Sequence, residues 1–354
     1  MFRVKVLRRY EVSSRFKLVT YLTSFIVGVF LFILFEVLLG ANPYEVVDRL
    51  FVRPLTSYDD LRVSIRYAVP IGIIASGLLI VYRAGIYSIG AEGQMAVGAV
   101  FAAWAAYTLS LGSPTSVVVA LLVGVLGGII WGLLPATLKA LLNVNEVLTT
   151  LMMNFIAYSL VDYLIYGPWR SPKSYGFPLT EPIPTVFTIP TYDGVPVINF
   201  LVFTLVVFLT YVVTKMSKLG FQIRAYGLNP STAYASGMSF FKVVLLSFVI
   251  SGALAGLAGA LQLLSIHHRL GPKSWSVTEG LGYTAIVAAW ISRLEPLAMI
   301  PASLLMGALV NGGLAIKAVL GQSEGVVNLM NGMILLSIVA AEFFINYRLV
   351  IRFR

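Results

Sequence analysis

The chain contains no cysteine and only two histidines in 354 residues. The first absence excludes disulfides, thiolate metal sites and cysteine nucleophiles, and leaves the redox compartment open. His267 and His268 are adjacent, so they cannot share the i, i+4 helical face of a zinc site, and no metal site is expected. Charge is scarce too, at 11% of residues. No Gly-Lys-Ser/Thr phosphate loop occurs: Gly271-Pro272-Lys273-Ser274 lacks the preceding glycine spacing, and its proline removes an amide that a phosphate cradle would use. The chain is therefore not expected to hydrolyse ATP or to hold a cofactor of its own. The Asp-rich diphosphate–metal motifs of a membrane prenyl transferase are missing as well, which disfavours a membrane enzyme.

What the chain has in excess is apolar surface. Hydrophobic residues make up 58% of it and the mean hydropathy is +0.89, which defines an all-α polytopic membrane protein. The net charge of +10 does not indicate nucleic acid, because the basic residues stand singly between apolar runs instead of forming a stripe with interleaved aromatics. Membrane lipid is the better partner for them.

Residues 1–17 hold six basic side chains (Arg3, Lys5, Arg8, Arg9, Arg15, Lys17) against one acid, Glu11, and form a cytoplasmic anchor. A first transmembrane helix is expected over 18–40, about 34 Å of helix and long for a cleaved signal core. The main transmembrane domain is expected over 60–346, with further apolar segments near 67–82, 84–110, 115–138, 145–166, 197–214, 242–265, 280–292, 296–318 and 326–346. That makes about ten spans, the 280–292 segment being short enough to be broken or re-entrant. Alternation from a cytoplasmic N-terminus puts most basic residues inside, among them Arg83, Lys139, Lys215, Lys218, Arg224, Lys242, Arg293, Arg348, Arg352 and Arg354. Both termini, including the tail 347–354, are accordingly expected in the cytoplasm.

Two connections are long. The expected outer loop, 167–196, carries seven prolines, which forbid regular helix and leave either a partner-docking surface or a packed cap. The expected cytoplasmic segment, 215–242, contains Asn229-Pro230, a cap followed by a first-turn proline, and a short helix should run from there to Ser236 before Gly237 ends it. Such a helix either plugs a groove on a cytoplasmic partner or is a plain surface helix. A faint internal echo joins Glu92-Gly93 with Trp104 to Glu279-Gly280 with Trp290, as an inverted repeat would. Gly124 with Gly128, and Gly252 with Gly256, have the spacing for close helix approach.

The most unusual stretch is Arg83 to Gln94, which has glycines at 85, 90 and 93 and places Glu92 and Gln94 where hydrocarbon is expected. Glycine lets backbones approach, and polar groups at membrane depth need a protein partner or a wet cavity. Glu92, Gln94, Asn145, Glu146 and Asn154 are candidates for a translocation pathway. The competing reading has Glu92 and Gln94 satisfying backbone groups near a helix start, and Asn154, Asn311 and Asn331 bonding between helices. Trp104, Tyr166, Trp169 and Trp275 are expected at membrane interfaces.

Three segments together resemble the transmembrane permease subunits of ABC importers for nucleosides and simple sugars. They are Ile89-Gly-Ala-Glu-Gly-Gln94, Asn145-Glu-Val-Leu-Thr-Thr150 with Met152 and Asn154, and Arg224-Ala-Tyr-Gly-Leu-Asn-Pro230 with Ala233 and Gly237. The resemblance covers roughly 60–345. Ser88 departs from it, since Asn commonly precedes the Ile-Gly pair. The family likeness implies a core of two related, inverted halves and a second homologous permease subunit. It also implies a cytoplasmic ATPase, and an extracellular, lipid-anchored binding protein that delivers the solute. Arg224, Gly227, Asn229, Pro230, Ala233 and Gly237 would then form the segment coupled to the ATPase. The rival from another class is a proton-coupled secondary transporter with Glu92 as proton carrier; branched-chain amino-acid import is the rival within the ABC class.

Overall fold

Apolar runs in hydrocarbon leave the backbone no partner but itself, and the chain is accordingly helical over most of its length. The computed structural model describes residues 3–9, 12–109, 112, 115–174, 176–272, 277–321 and 325–352; Lys273, Ser274, Trp275 and Arg354 lie outside them. Strand β1 (Arg3–Arg8) precedes α1 (Ser14–Leu38), and short helices α2 (Pro43–Val47) and α3 (Arg53–Thr56) follow. Next come α4 (Tyr58–Arg83), α5 (Ala91–Thr108), α6 (Thr115–Leu142), α7 (Glu146–Tyr166) and α8 (Val197–Met216). Two shorter helices, α9 (Lys218–Leu228) and α10 (Pro230–Ala235), lead to α11 (Phe240–Gln262), which runs on as a π-helical turn, Leu263–His267. The chain closes with α12 (Leu281–Ile291), α13 (Met299–Leu320), α14 (Gly325–Asn346) and strand β2 (Tyr347–Arg352).

Each of the ten apolar segments contains a helix. Among the described residues eight of these, α1, α4, α6, α7, α8, α11, α13 and α14, are long and apolar enough to cross a membrane. The other two are α5, which opens on Glu92 and Gln94, and α12, whose 11 residues reach about 16 Å, half a hydrocarbon core.

The residues fall into two units, Tyr58–Ala308 and Met1–Ser57 with Leu309–Arg354. In the first, α11 packs on α4, α5 and α6. The small-residue spacings meet there: a Cβ at Gly128 would stand 2.1 Å from the Gly252 carbonyl oxygen, one at Gly256 2.5 Å from that of Gly124, and one at Gly98 2.4 Å from the Gly256 Cα. Backbone-to-backbone contact replaces side-chain packing along this seam, and any larger residue forces the helices apart. The 167–196 connection is tied down over the end of α11. Thr180 N–H donates to Leu270 O (3.1 Å), Ile183 N–H to His268 O (2.8 Å) and Ile189 N–H to Leu264 O (2.8 Å), while Ile183, Phe187 and Ile189 are buried. The prolines thus shape a packed cap.

The sequence echo does not coincide with equivalent positions. Glu92 is the second residue of α5, whereas Glu279 precedes the α12 cap Gly280 and has a φ of 47°. Counted from the helix starts, Gly282 is the counterpart of Glu92.

In the terminal unit α1 lies on α14, close enough that a Cβ at Gly28 would stand 2.7 Å from the Ile334 Cα. The two chain ends pair as an antiparallel ribbon, with Arg3 opposite Arg352 and Arg8 opposite Tyr347.

Candidate functional site

Helix α4 stops at Arg83, Gly85 takes a φ of 75° that a side chain would resist, and the chain turns through 84–90 to Gly90, the cap of α5. This turn lies beside α7. Tyr87 N–H donates to Glu146 Oε1 (3.2 Å), Ile89 N–H to Thr150 Oγ1 (3.0 Å) and Gly93 N–H to Asn154 Oδ1 (2.9 Å). Asn154 Nδ2 returns a bond to Ile89 O (2.9 Å), and Tyr158 O–H donates to Glu92 Oε1 (2.7 Å). Residues 146, 150, 154 and 158 recur every four positions, so they form one polar stripe on α7. Two motifs that look independent in the sequence are halves of a single stitched seam.

Glu92 is fully buried, and its carboxylate also joins α5 to α12. Oε2 accepts from Gly282 N–H (2.7 Å) and Oε1 from Gly280 N–H (3.2 Å). These amides sit at the start of α12, where helix geometry leaves N–H groups unpaired and the peptide dipoles sum to partial positive charge. Glu92 itself occupies the first turn of α5, so two positive helix ends converge on one carboxylate. The approach is backbone to backbone: a Cβ at Gly282 would stand 2.5 Å from Glu92 N and Cα. A buried carboxylate without such donors would cost several kcal/mol.

Gln94 is also buried, but its Oε1 has no hydrogen-bond partner among the described residues, while its amide nitrogen fits against Gly132. Asn145 is exposed and caps α7 by accepting from Val147 N–H (2.9 Å) and Leu148 N–H (3.3 Å). Glu146 pairs with Lys139 at 3.0 Å. Asn154, fully buried, bonds across to Tyr283 O–H (3.3 Å) as well as to the turn. Gly90 and Gly93 are pressed against Thr150 and Asn154.

The second cluster is an elbow. Ser217 caps α9, and Asn229 both ends α9 and starts α10, its side chain accepting from Thr232 N–H (3.1 Å) ahead of Pro230 at the first position. Gly237, at φ 79°, closes α10 with paired terminal bonds, Gly237 N–H to Tyr234 O (2.9 Å) and Met238 N–H to Ala233 O (3.2 Å). The expected short helix is present. Of its six residues only Ala233 is buried, so this residue holds α10 to its own chain, while Leu228 (88% exposed) and Tyr234 (74%) supply the free apolar surface. Arg224 is exposed. A Cβ at Gly227 would stand 2.0 Å from the Arg83 carbonyl oxygen, so the elbow touches the beginning of the 84–90 turn. Glu295 joins Arg83 and Lys215, each at 2.9 Å.

Tyr158, Gly282 and Glu295 were not singled out from the sequence; Gly280 and Trp290 entered only through the echo, and the ring cluster in which Trp290 lies 5.4 Å from Tyr82 and 6.2 Å from Tyr87 was not foreseen. The four-residue spacing from Glu146 to Tyr158 was a visible signal. The bonds from Glu92 to residues nearly 190 positions away carried none.

A helical membrane bundle with polar groups stitched into its interior and a capped elbow on its surface has the architecture of a transport protein. Residues 62–339 match the family described as branched-chain amino acid transport system / permease component. The chain is 31% identical to the glucose ABC transporter permease protein TsgB13 of Haloferax volcanii, over 90% of this chain and 86% of the relative. It is 30% identical to the guanosine ABC transporter permease protein NupP of Bacillus subtilis, over 77% and 79%. It is 23% identical to the nucleoside ABC transporter permease protein NupB of Lactococcus lactis, over 83% and 82%. The chain belongs to this permease family. It is the multi-pass membrane subunit of an ABC importer, not an enzyme; ATP hydrolysis belongs to a separate ATPase subunit, and a substrate-binding protein completes the system.

Proposed function

We propose that this permease imports nucleosides or related simple sugars into the cell. The observation that carries the reading is the set of relatives named for glucose, guanosine and nucleosides, each aligned over most of the chain. Branched-chain amino-acid import, suggested by the family's description alone, ranks below it.

The subunit works with ten membrane segments, α5 and α12 being the short pair, and with both termini in the cytoplasm. The distribution of Lys and Arg supports that orientation. The core consists of two inverted halves, a reading supported by the abutting first turns of α5 and α12. A second homologous permease completes the pathway, and a lipid-anchored protein outside delivers the solute. ATP is held by the partner, and this chain holds no cofactor. Residues 224–237 couple to the ATPase. Leu228 and Tyr234 fill its groove, Arg224 steers docking over the short range that physiological salt allows, and Asn229, Pro230, Ala233 and Gly237 fix the helix that presents them. Displacement of the elbow passes through the Gly227–Arg83 contact to the 84–90 turn, and through the α7 stripe and Glu92 to α12, as rigid-body motion. Gln94, with its free acceptor, meets the solute's hydroxyls or base edges; Glu92, Asn145, Glu146 and Asn154 shape the wall around it. A proton-coupled carrier built on Glu92 is disfavoured by membership of the permease family.

The test is uptake of labelled guanosine and labelled glucose into vesicles holding this chain, with and without its ATPase, second permease and binding protein. Uptake of either solute only with the complete set and ATP supports the reading. Uptake by the chain alone, abolished by collapsing the proton gradient, overturns it, and uptake of leucine alone by the complete set reassigns the substrate.

A further inference from the structure

The terminal ribbon is an unstable object by its own chemistry. Its strands, Arg-Val-Lys-Val-Leu-Arg at 3–8 and Tyr-Arg-Leu-Val-Ile-Arg at 347–352, hold five cations and no acid. The register sets Arg3 directly opposite Arg352, Lys5 opposite Val350 and Leu7 opposite Arg348. Strand alternation therefore assigns four of the five cations, at positions 3, 5, 348 and 352, to one face together with Leu7 and Val350, and positions 4, 6, 349 and 351 to a mainly apolar face, which Arg8 and Tyr347 close at the end next to the helices. Like charges directly opposite one another destabilise a strand pair, and a two-stranded ribbon is marginal in water even without that penalty. Among the described residues no third strand joins it.

Its location supplies what is missing. β2 follows α14 with no intervening residue, and β1 leads into α1, whose cap Ser13 lies five residues beyond Arg8. Both helices are long and apolar enough to span the membrane and pack on each other. The Arg9 guanidinium lies 4.8 Å from the Phe16 ring, which holds the end of the ribbon to the start of α1. The two strands thus meet where two neighbouring spans leave the hydrocarbon, at the level of the headgroups.

We propose that this ribbon is a binding surface for anionic phospholipid. Headgroup phosphates neutralise the cationic face and the apolar face settles into the acyl boundary, so that the ribbon zips the two chain ends together only on a negatively charged leaflet. Each Lys or Arg near such a surface gains roughly fivefold in affinity, and the gain is screened by salt.

Amide hydrogen exchange of the full chain in nanodiscs tests this. Exchange over 3–8 and 347–352 is compared in phosphatidylcholine alone and in phosphatidylcholine mixed with phosphatidylglycerol. The expected result is exchange slower by about tenfold or more in the anionic discs, an effect that salt weakens. The Arg348→Gln/Arg352→Gln variant should lose most of that difference while exchange across 58–308 is unchanged. Equal exchange in the two lipids overturns the proposal. So does protection that appears in neutral discs once the ATPase assembly is added, which would make the ribbon a protein-docking surface instead.

Discussion

The junction at Glu92 and the elbow at Asn229 solve the same problem, unpaired backbone groups at a helix end, in opposite ways. At the elbow the solution is local: Asn229 serves the helix it starts, Gly237 closes it, and the bonds that open and close α10 each span a few residues. At the junction the partners come from elsewhere. Tyr87, Ile89 and Gly93 bond to α7, and the start of α12 bonds to Glu92. A locally closed element keeps its shape while it moves against a partner. An element closed by distant side chains holds several helices together and fails when one bond is lost.

That contrast is sharpened most by Glu92→Ala. It leaves two buried amides and the Tyr158 hydroxyl without their acceptor, and the expected loss is about 3 kcal/mol or more, seen as a lower unfolding temperature in detergent. A variant of normal stability that fails only in uptake would break the comparison and give Glu92 a role in contact with solute. Asn154→Leu should follow at roughly 2–3 kcal/mol, because Gly93 N–H and Ile89 O lose their partner together; unchanged exchange of the Gly93 amide would count against the stitched seam. Gly227→Ala links the two regions. Its Cβ would strike the Arg83 carbonyl, costing about 1–3 kcal/mol and separating ATP turnover from uptake, and unimpaired coupling would show that the contact transmits nothing. The smallest effect on stability, within ~0.5 kcal/mol, is expected for Leu228→Ser with Tyr234→Ser on the exposed elbow. There uptake should fall while the folded yield is kept, and normal transport would move the docking surface off α10.

Much of the elbow was legible in advance because its determinants are contiguous: cap, first-turn proline and closing glycine follow in order along nine residues. The ten helical segments and the glycine spacings of α6 and α11 were legible for a similar reason, since period and residue size are local properties. The direction in which Ala233 faces was not, because burial depends on what α10 packs against. The role of Glu92 was half legible. A carboxylate in an apolar run demands a partner, yet nothing near it in sequence indicates that the partner is the start of α12. The echo between Glu92 and Glu279 even suggested equivalent positions, where the fold pairs Glu92 with Gly282 instead.

By itself, then, the sequence determined an all-α membrane protein, the placement of its helices, the cap and closing glycine of the elbow helix, and the permease family whose motifs it carries. Those follow from hydropathy, from backbone groups that hydrocarbon leaves unsolvated, and from the few side chains able to satisfy a helix end nearby. Only the tertiary structure decided that the α7 stripe and the 84–94 turn are one seam, that α12 starts on a carboxylate from α5, and that the two basic chain ends pair. Hydrogen bonds and close glycine contacts between distant segments depend on which helices become neighbours, and that choice is made by packing the whole chain.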